Sequence, residues 1–304
     1  MGDSRTALQG MDDDAAFIEQ CRNAVERRLA ELTPDRDARP ARLAEAARYA
    51  LLSPGKRFRP MLTLLTTREF GGDPAAALDV ACACEMVHAA SLILDDLPCM
   101  DDAGLRRGRV TTHKAFDEAT AILASVGLLN LAFGVVASAP GLSGAQKADL
   151  AARLSQAVGF SGLVAGQAMD LEGRDRQRAT DELDLLNHRK TGVLMVAAAE
   201  AGALIAGASS QAVLGVGEFA THLGLAFQIH DDILDVEGGA DIGKDVGKDA
   251  GMTTLVSAVG LEGARAARDA HLQASGAGLA RAGVGQGLLA RYVQDLFEAR
   301  KAAA

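Results

Sequence analysis

Two aspartate clusters, at residues 95–102 and 231–235, are the part of this sequence that could perform chemistry. Each follows an apolar stretch with helical character, AASLIL before the first and LGLAFQIH before the second. Carboxylates at a buried helix end destabilise the fold unless a partner compensates them, and clustered carboxylates also repel one another. The pattern therefore predicts a cationic partner at both clusters. The candidate ligands are Asp95, Asp96, Asp101, Asp102, Asp231, Asp232 and Asp235.

The spacing within each cluster decides which carboxylates can share a cation. Asp231 and Asp235 are one helical turn apart, so they lie on one face of a helix. Asp95 and Asp101 are six residues apart, which places them on different faces of an ideal helix. Pro98 lies between them and removes a backbone donor, so we expect a local bulge that brings Asp101 round to Asp95.

The ligand set consists of oxygen donors without His or Cys, which favours Mg²⁺, with Mn²⁺ as an alternative. Mg²⁺ is usually held by a few carboxylates together with substrate phosphates, so the sequence indicates a phosphate ester as substrate. The competing interpretation is that the aspartates are solvated caps at helix ends. Two such clusters in one chain, each ending an apolar helix, favour the metal site.

Basic residues form several small groups rather than one continuous stripe. Arg clamps oxyanions with paired hydrogen bonds, and Lys neutralises them as a point charge. The groups therefore indicate separate phosphate-binding sites. Ordinary surface charge is the alternative, and it is favoured for Arg57 and Lys248 taken singly. The residues are Lys56, Arg57, Arg59, Arg106, Arg107, Lys190, Lys244 and Lys248.

The elements that position these residues are predicted to be helices. The chain has 304 residues, 49% hydrophobic content, 4% aromatic content and no Trp. It is rich in Ala, the best helix former, which predicts an all-α protein. The net charge of -9 without basic blocks argues against a nucleic-acid partner. The four cysteines show neither zinc-site spacing nor a disulfide pattern, which favours a reducing cytoplasm.

Pro and Gly residues divide the chain into successive helices, with no low-complexity linker between them. We predict residues 1–10 to be a loose tail and residues 11–304 to form a single domain. Residues 121–139 carry no charge and are long enough to span a membrane, but their Ala, Gly and Ser content favours a buried core helix and no membrane span. The predicted helices cover residues 12–32, 40–52, a third ending at 70, 75–97, 111–139, 144–172, 180–207, 210–236, 260–275 and 284–301.

Several short motifs, in this order, resemble those of the trans-isoprenyl diphosphate synthases. They are GKRFRP at 55–60, DDLPCMDD followed by LRRG at 95–108, GQAMD at 166–170, KT at 190–191 and FQIHDDILD at 227–235. The segment HAASLILDDLPCMDDAGLRRGR is most similar to the bacterial short-chain geranylgeranyl diphosphate synthases of carotenoid pathways. The resemblance implies a single bundle of about ten or more helices around a deep central cavity, and a homodimer.

The resemblance also implies a reaction, in which isopentenyl diphosphate condenses head-to-tail with dimethylallyl, geranyl or farnesyl diphosphate. Two or three Mg²⁺ ions and Lys190 would neutralise the leaving allylic diphosphate while the alkene attacks. The implied metal ligands are Asp95, Asp101 and Asp231, with Asp96 and Asp235 assisting. The implied allylic site contains Arg106, Lys190, Thr191, Gln228 and Lys244, and the isopentenyl site contains Lys56, Arg59, His88 and Arg107. Of these, Asp95, Asp101, Asp231, Lys190 and Gln228 would be catalytic.

Two small residues predict the product length. Ala90 and Ser91 lie about one turn before Asp95, beside the expected path of the growing chain. In the resembling family a bulky aromatic residue at one of these places gives farnesyl diphosphate, and small residues leave room for another five-carbon unit. We therefore expect geranylgeranyl diphosphate, with farnesyl diphosphate as the alternative. Met252 departs from the family pattern, because a diphosphate-contacting Lys is usual there.

Three other functions share some of these features. A di-iron carboxylate bundle would use Glu85 and His88, which form one ExxH motif, but it needs a second such motif and the sequence has none. A terpene cyclase would share the first aspartate cluster but carry Asn, Ser or Glu ligands in place of DDILD. A non-catalytic subunit of a heteromeric synthase is favoured by Met252 and opposed by the intact motifs at both clusters.

Overall fold

The computed structural model describes residues 14–35, 37–173, 177–237 and 254–302. The described chain is predominantly helical, which confirms the all-α class predicted from composition. The helices are α1 Asp14–Leu32, α2 Ala41–Leu51, α3 Phe58–Glu69, α4 Pro74–Asp95, α5 Thr112–Ala115, α6 Glu118–Ser138, α7 Gly144–Val158, α8 Leu163–Glu172, α9 Thr180–Asn187, α10 Val193–Ile205, α11 Ser210–Glu237, α12 Leu255–Arg281 and α13 Leu288–Ala302. A π-helical turn, His188–Gly192, joins α9 to α10, and strands β1 Leu105–Arg106 and β2 Arg109–Val110 pair antiparallel.

Capping residues explain where some of these helices begin. The Asp73 side chain accepts a hydrogen bond from the backbone N–H of Ala75, and Pro74 occupies the first helical position of α4. The side chain of Asp117 accepts from the N–H of Thr120 and starts α6. The segment 111–139, predicted as one helix, is therefore two helices, because Asp117 begins a new one after α5.

Two other long predicted helices are also divided. The segment 144–172 forms α7 and α8, separated by a turn that contains Gly159 and Gly162. The segment 180–207 is interrupted by the π-helical turn 188–192. The helix predicted at 260–275 is longer, running over α12 with a non-helical Gly260, and the helix predicted from 284 begins at Leu288. The predicted tail at residues 1–10 lies outside the described residues.

Two buried helices carry the aspartate clusters. Helix α4 packs against α1, α2, α3, α6 and α10, and it ends at Asp95. Helix α11 packs against α10 and α12, and its last turns contain Asp231 and Asp235. Most apolar residues of α4 and α11 are buried, so the aspartates at the ends of these helices lie at the edge of the core.

Helix α6 corrects the prediction for residues 121–139. It was expected to be buried on all sides, but only 39% of its most apolar 18-residue stretch is buried. Leu123 and Val126 are more than half exposed. Helices α4, α6 and α11 are each long and apolar enough to cross a membrane by length and composition. The most apolar 18-residue stretches of α4 and α11 are nevertheless 78% and 67% buried inside the protein. Helix α6 lies at the surface because α2, α4 and α7 cover one of its faces and leave the other open.

Candidate active site

The end of α4 brings the first aspartates together by a turn. After Asp95 the chain leaves the helix, and the backbone N–H of Asp101 donates to the Asp95 carbonyl oxygen at 2.9 Å. The N–H of Asp102 similarly donates to the Leu97 carbonyl oxygen at 3.0 Å. The predicted bulge is therefore wrong in form, because the helix ends before Pro98 instead of continuing through it. The backbone of Asp101 nevertheless lies beside that of Asp95.

A β-hairpin at 105–110 places the arginines of LRRG. Its two turn residues, Arg107 and Gly108, have φ values of 54° and 72°, as a two-residue hairpin turn requires. Arg106 Nε donates to Asp96 Oδ1 at 2.8 Å, and Arg106 Nη2 lies 3.7 Å from Asp95 Oδ2. Burial raises the pKa of Asp96 to about 6, although Arg106 acts in the opposite direction. Asp96, predicted as an assisting metal ligand, thus faces Arg106.

The π-helical turn positions Lys190 against the first cluster. A side chain at Gly166 would place its Cβ 2.6 Å from the backbone nitrogen of Lys190, so this glycine allows α8 to pack directly on the turn. Lys190 Nζ lies 2.7 Å from Asp170 Oδ2 and 3.5 Å from Asp95 Oδ1. Burial would lower the pKa of Lys190, but Asp95, Asp170 and Asp101 outweigh it and raise that pKa. Lys190 is therefore a charged ammonium between two carboxylates.

Thr191 connects the π-helical turn to the second aspartate cluster. Helix α11 approaches so closely that a Cβ at Gly224 would lie 2.8 Å from the Cα of Gly192. Thr191 Oγ1 donates to Gln228 Oε1 at 3.3 Å, and Gln228 Nε2 donates to Asp232 Oδ1 at 3.0 Å. Lys190 thus contacts the first cluster directly, and Thr191 is linked to the second cluster through Gln228, so the two clusters lie at the same end of the bundle.

The second cluster has a graded exposure along α11. Asp231 and Asp232 are half-buried, and Asp235 is exposed. Burial raises the pKa of Asp232 to about 6; Gln228 opposes this shift, and Asp231 adds to it. Asp231 and Asp235 remain on one helical face, as their spacing predicts.

A separate group of cations lies between α3, α4 and the hairpin. Arg107 Nη2 lies 3.3 Å from His88 Nε2, and the Nε of Arg59 is buried with no hydrogen-bond partner. Burial lowers the pKa of Arg59 to about 10, with Glu85 opposing and Arg107 adding to the effect. Burial and the surrounding arginines lower the pKa of His88 well below its ordinary value. Crowded, mutually repelling donors of this kind are suited to an anion, and Lys56 is exposed next to them in sequence.

Arg57 contradicts the surface-charge interpretation. Its side chain is 1% exposed, and it donates to Glu26 Oε1 at 2.7 Å, to Glu85 Oε1 at 2.9 Å and to the Ser53 carbonyl oxygen at 2.8 Å. These contacts fix the backbone between Lys56 and Arg59, where Arg57 itself has a left-handed φ of 49°. Glu85, the acid of the ExxH motif, is thereby bound to an arginine, which argues against a di-iron site.

Comparison with known proteins decides the family. Residues 40–276 match the family model described as Polyprenyl synthetase. The chain belongs to this family. It is 44% identical over 289 residues to a farnesyl diphosphate synthase of Geobacillus stearothermophilus, covering 93% of this chain and 97% of that one. It is also 44% identical over 292 residues to a geranylgeranyl diphosphate synthase of Pantoea ananas, covering 95% of each.

A solved structure agrees with this assignment. The geranyltransferase of Helicobacter pylori, complexed with magnesium and isoprenyl diphosphate, superposes with a TM-score of 0.84 at 27% identity, covering 96% of this chain and 98% of that one. The protein is a short-chain trans-prenyl diphosphate synthase with the isoprenoid synthase fold. The relatives divide between farnesyl and geranylgeranyl products.

The carboxylates of the synthase suit Mg²⁺ held jointly with a phosphate. Among the described residues no group of three or more His, Cys, Asp or Glu side chains converges closely enough to hold a metal ion alone. Asp95 Oδ1 is buried without a hydrogen bond, although the Lys190 ammonium lies 3.5 Å from it, and Asp96 and Asp232 have raised pKa values. A cation would relieve both conditions, and Mg²⁺ commonly completes its shell with substrate phosphates and water.

Some predicted residues of the synthase fall outside this description, and some contacts were not predicted. Lys244, Lys248 and Met252 lie outside the described residues. Asp170 was noted within the GQAMD motif but given no role, and the structure places it on Lys190. The sequence signal for a role of Asp170 was its position one helical turn after Gln167 on the same face of α8. The contact between Asp170 and Lys190 depends on tertiary packing.

Proposed function

We propose that the synthase condenses isopentenyl diphosphate with an allylic diphosphate in a Mg²⁺-dependent reaction and releases geranylgeranyl diphosphate. The observation that carries the product length is the pair of small residues, Ala90 and Ser91, on the helix that ends at Asp95. Farnesyl diphosphate is the second candidate, because a close relative is a farnesyl diphosphate synthase.

We assign one diphosphate to the site formed by the carboxylates and Lys190, and the other to the cationic group that contains Arg59 and Arg107. The allylic diphosphate binds where carboxylates and Lys190 meet, with Asp95, Asp101 and Asp231 as ligands and Asp96 and Asp235 assisting. Bound Mg²⁺ supplies charge neutralisation for the leaving diphosphate. Lys190 donates to that diphosphate, and Thr191 and Gln228 orient it from the π-helical turn and α11.

The isopentenyl diphosphate binds the cationic group without a metal. Its proposed ligands are Lys56, Arg59, His88 and Arg107. Arg107 Nη2 lies 3.3 Å from His88 Nε2, and the neighbouring carboxylate of Glu85 is already bound by Arg57. A diphosphate there gains charge-assisted hydrogen bonds from donors that otherwise repel one another. With both substrates bound, the isopentenyl alkene attacks the allylic carbon as its C–O bond to the diphosphate breaks. The released diphosphate takes the proton that the isopentenyl unit then loses.

Substitutions in the two groups are expected to affect different substrates. Arg59→Gln raises the KM for isopentenyl diphosphate by about tenfold, because it removes donors from one diphosphate and none from the other. Lys190→Ala instead lowers kcat and kcat/KM for the allylic substrate by at least about tenfold, since its contact strengthens as the diphosphate leaves. Steady-state kinetics with each substrate varied in turn checks both. Equal effects of both variants on the same substrate contradict the division into two sites.

The surroundings of Ala90 explain how it could set chain length. Ala90 is fully buried, and its carbonyl oxygen accepts a hydrogen bond from Ser125 Oγ of α6 at 2.9 Å. Ser91 is half-buried. A large side chain at either position has to occupy space between α4 and its neighbours, where we expect the end of the growing chain.

We expect Ala90→Tyr to shift the product from geranylgeranyl to farnesyl diphosphate while condensation continues, because it adds bulk without touching a predicted metal ligand. Radiolabelled product analysis by chromatography measures the ratio. Overpacking a core position costs about 1–3 kcal/mol, so Ser91→Phe at the less buried position serves as a second variant. If both folded variants retain the wild-type product, Ala90 and Ser91 do not set chain length.

We also propose a homodimer in the cytoplasm. The exposed face of α6 contains Ile122, Leu123 and Val126, and Phe160, in the turn between α7 and α8, is 97% exposed. Covering such apolar side chains with a second copy is favourable. Leu123→Glu is expected to yield monomers in sedimentation, whereas a wild-type chain that sediments as a monomer contradicts the proposal. The four cysteines are free, in agreement with a reducing compartment.

A further inference from the structure

We propose that Arg178 is a positioning residue for Lys190 and acts through Asp170. Arg178 Nη2 donates to the carbonyl oxygens of Met169 at 2.7 Å and Asp170 at 3.0 Å, and Nη1 lies 3.9 Å from Asp170 Oδ1. The other carboxylate oxygen of Asp170 accepts from Lys190 Nζ at 2.7 Å. One guanidinium therefore contacts both the backbone and the carboxylate of the residue that holds Lys190.

The contact is built into the fold. The side chains of Arg178 and Asp170 are 3% and 8% exposed. Met169 and Asp170 belong to the last turn of α8, where the Met169 carbonyl oxygen also accepts from the backbone N–H of Gly173 at 3.2 Å. The last carbonyl oxygens of a helix have room for such additional donors. Gly173 leaves the space that the guanidinium occupies, since a Cβ there would lie 2.2 Å from Arg178 Nη2. Arg178 thus fixes the end of α8 in one position relative to the π-helical turn.

The position of Asp170 matters because Lys190 has two carboxylates within reach. Its ammonium lies 2.7 Å from Asp170 and 3.5 Å from Asp95. If Asp170 withdraws, Lys190 is drawn towards Asp95, where it competes with the cation that this carboxylate is proposed to bind. Held by Asp170, the ammonium stays beside the metal ligand without replacing the metal. This inference rests on the proposed role of Lys190 at the allylic diphosphate.

A double-mutant cycle separates positioning from a merely structural role. We expect Arg178→Gln to lower kcat/KM for the allylic substrate by about tenfold, while the KM for isopentenyl diphosphate stays within about twofold of wild type. In a Lys190→Ala background the same substitution is expected to change kcat/KM by less than about twofold, because the group that Arg178 positions is gone.

Two further variants control for changes in packing. Gly173→Ala displaces the guanidinium without removing its charge, and it should reproduce the kinetic loss. Gly276→Ala on α12 is the matched glycine control, since a Cβ there meets nothing within 4 Å. Arg28→Gln is the matched arginine control, because Arg28 binds the buried carboxylate of Asp79 at 2.8 Å in contacts between α1 and α4. Both controls should keep wild-type kcat/KM.

The outcomes are distinguishable. A tenfold loss from Arg178→Gln in both backgrounds, or wild-type kinetics in the folded variant, overturns the inference and leaves the proposed function intact. Wild-type kinetics for Lys190→Ala itself overturns the role of Lys190 and the inference with it. The inference is supported if Arg178→Gln lowers kcat/KM in the wild-type background but not in the Lys190→Ala background, and if Gly173→Ala reproduces the loss.

Discussion

Asp231→Asn is expected to lower kcat by at least about 100-fold while the protein remains folded, and Asp95→Asn is expected to do the same. The amide keeps the size of the carboxylate but removes the charge that Mg²⁺ requires, so the leaving diphosphate is less well neutralised. Asp231 is half-buried at the end of α11, and Asp95 Oδ1 is buried without a hydrogen-bond partner. Steady-state kinetics at saturating substrates measures the loss, and circular dichroism checks the fold.

A matched control comes from helix α7. Asp149 is an exposed aspartate that binds Arg153 four residues later, away from both clusters. Asp149→Asn removes the same charge and is expected to leave kcat within about twofold of wild type, since exposed ion pairs contribute little. Near-normal kcat in a folded Asp231→Asn protein would contradict the metal-ligand assignment, because the proposed reaction requires the Asp231 carboxylate charge to hold Mg²⁺.

Arg57→Met is expected to lower the free energy of unfolding by about 3–5 kcal/mol. The substitution leaves the carboxylate of Glu85 buried without its cation; the two side chains are 1% and 3% exposed and lie 2.9 Å apart. It also removes the contacts that hold the loop between Lys56 and Arg59. Urea denaturation followed by circular dichroism measures the change.

The double variant Arg57→Met, Glu85→Gln is the informative control. Neutralising the stranded acid should recover part of the lost stability, because an uncompensated buried charge is the main cost. Arg42→Met breaks an exposed pair with Asp117 and should cost less than about 1 kcal/mol. If Arg57→Met stays within about 1 kcal/mol of wild type, the buried cluster does not stabilise the loop as described.

The helical class could be predicted from the sequence because Ala content and Pro and Gly punctuation are local properties. The spacing of Asp231 and Asp235 likewise predicts that they lie on one helical face, as they do on α11. Their binding of a divalent cation stays a prediction. The hairpin at 105–110 was missed because its strands are two residues each, too short for an alternating pattern. Its turn uses Arg107 in a left-handed conformation, which residues other than Gly and Asn seldom adopt.

Burial of particular side chains could not be predicted, because it depends on which faces the rest of the chain covers. From sequence alone Arg57 resembles a surface charge, whereas in the fold it binds Glu26 and Glu85, which are distant in sequence. The apolar segment that forms α6 looked like a core helix, but one of its faces is exposed. The contact between Asp170 and Lys190 likewise depends on how α8 packs against the π-helical turn.

The most direct test of the proposed reaction uses the purified chain with labelled isopentenyl diphosphate and, in separate reactions, dimethylallyl, geranyl and farnesyl diphosphate. Product length is measured with Mg²⁺ present and after chelation. We predict geranylgeranyl diphosphate from every starter when Mg²⁺ is present, and no condensation after chelation. Absence of condensation with every starter contradicts the proposed reaction for this chain, and products that stop at farnesyl diphosphate with all three contradict the proposed chain length.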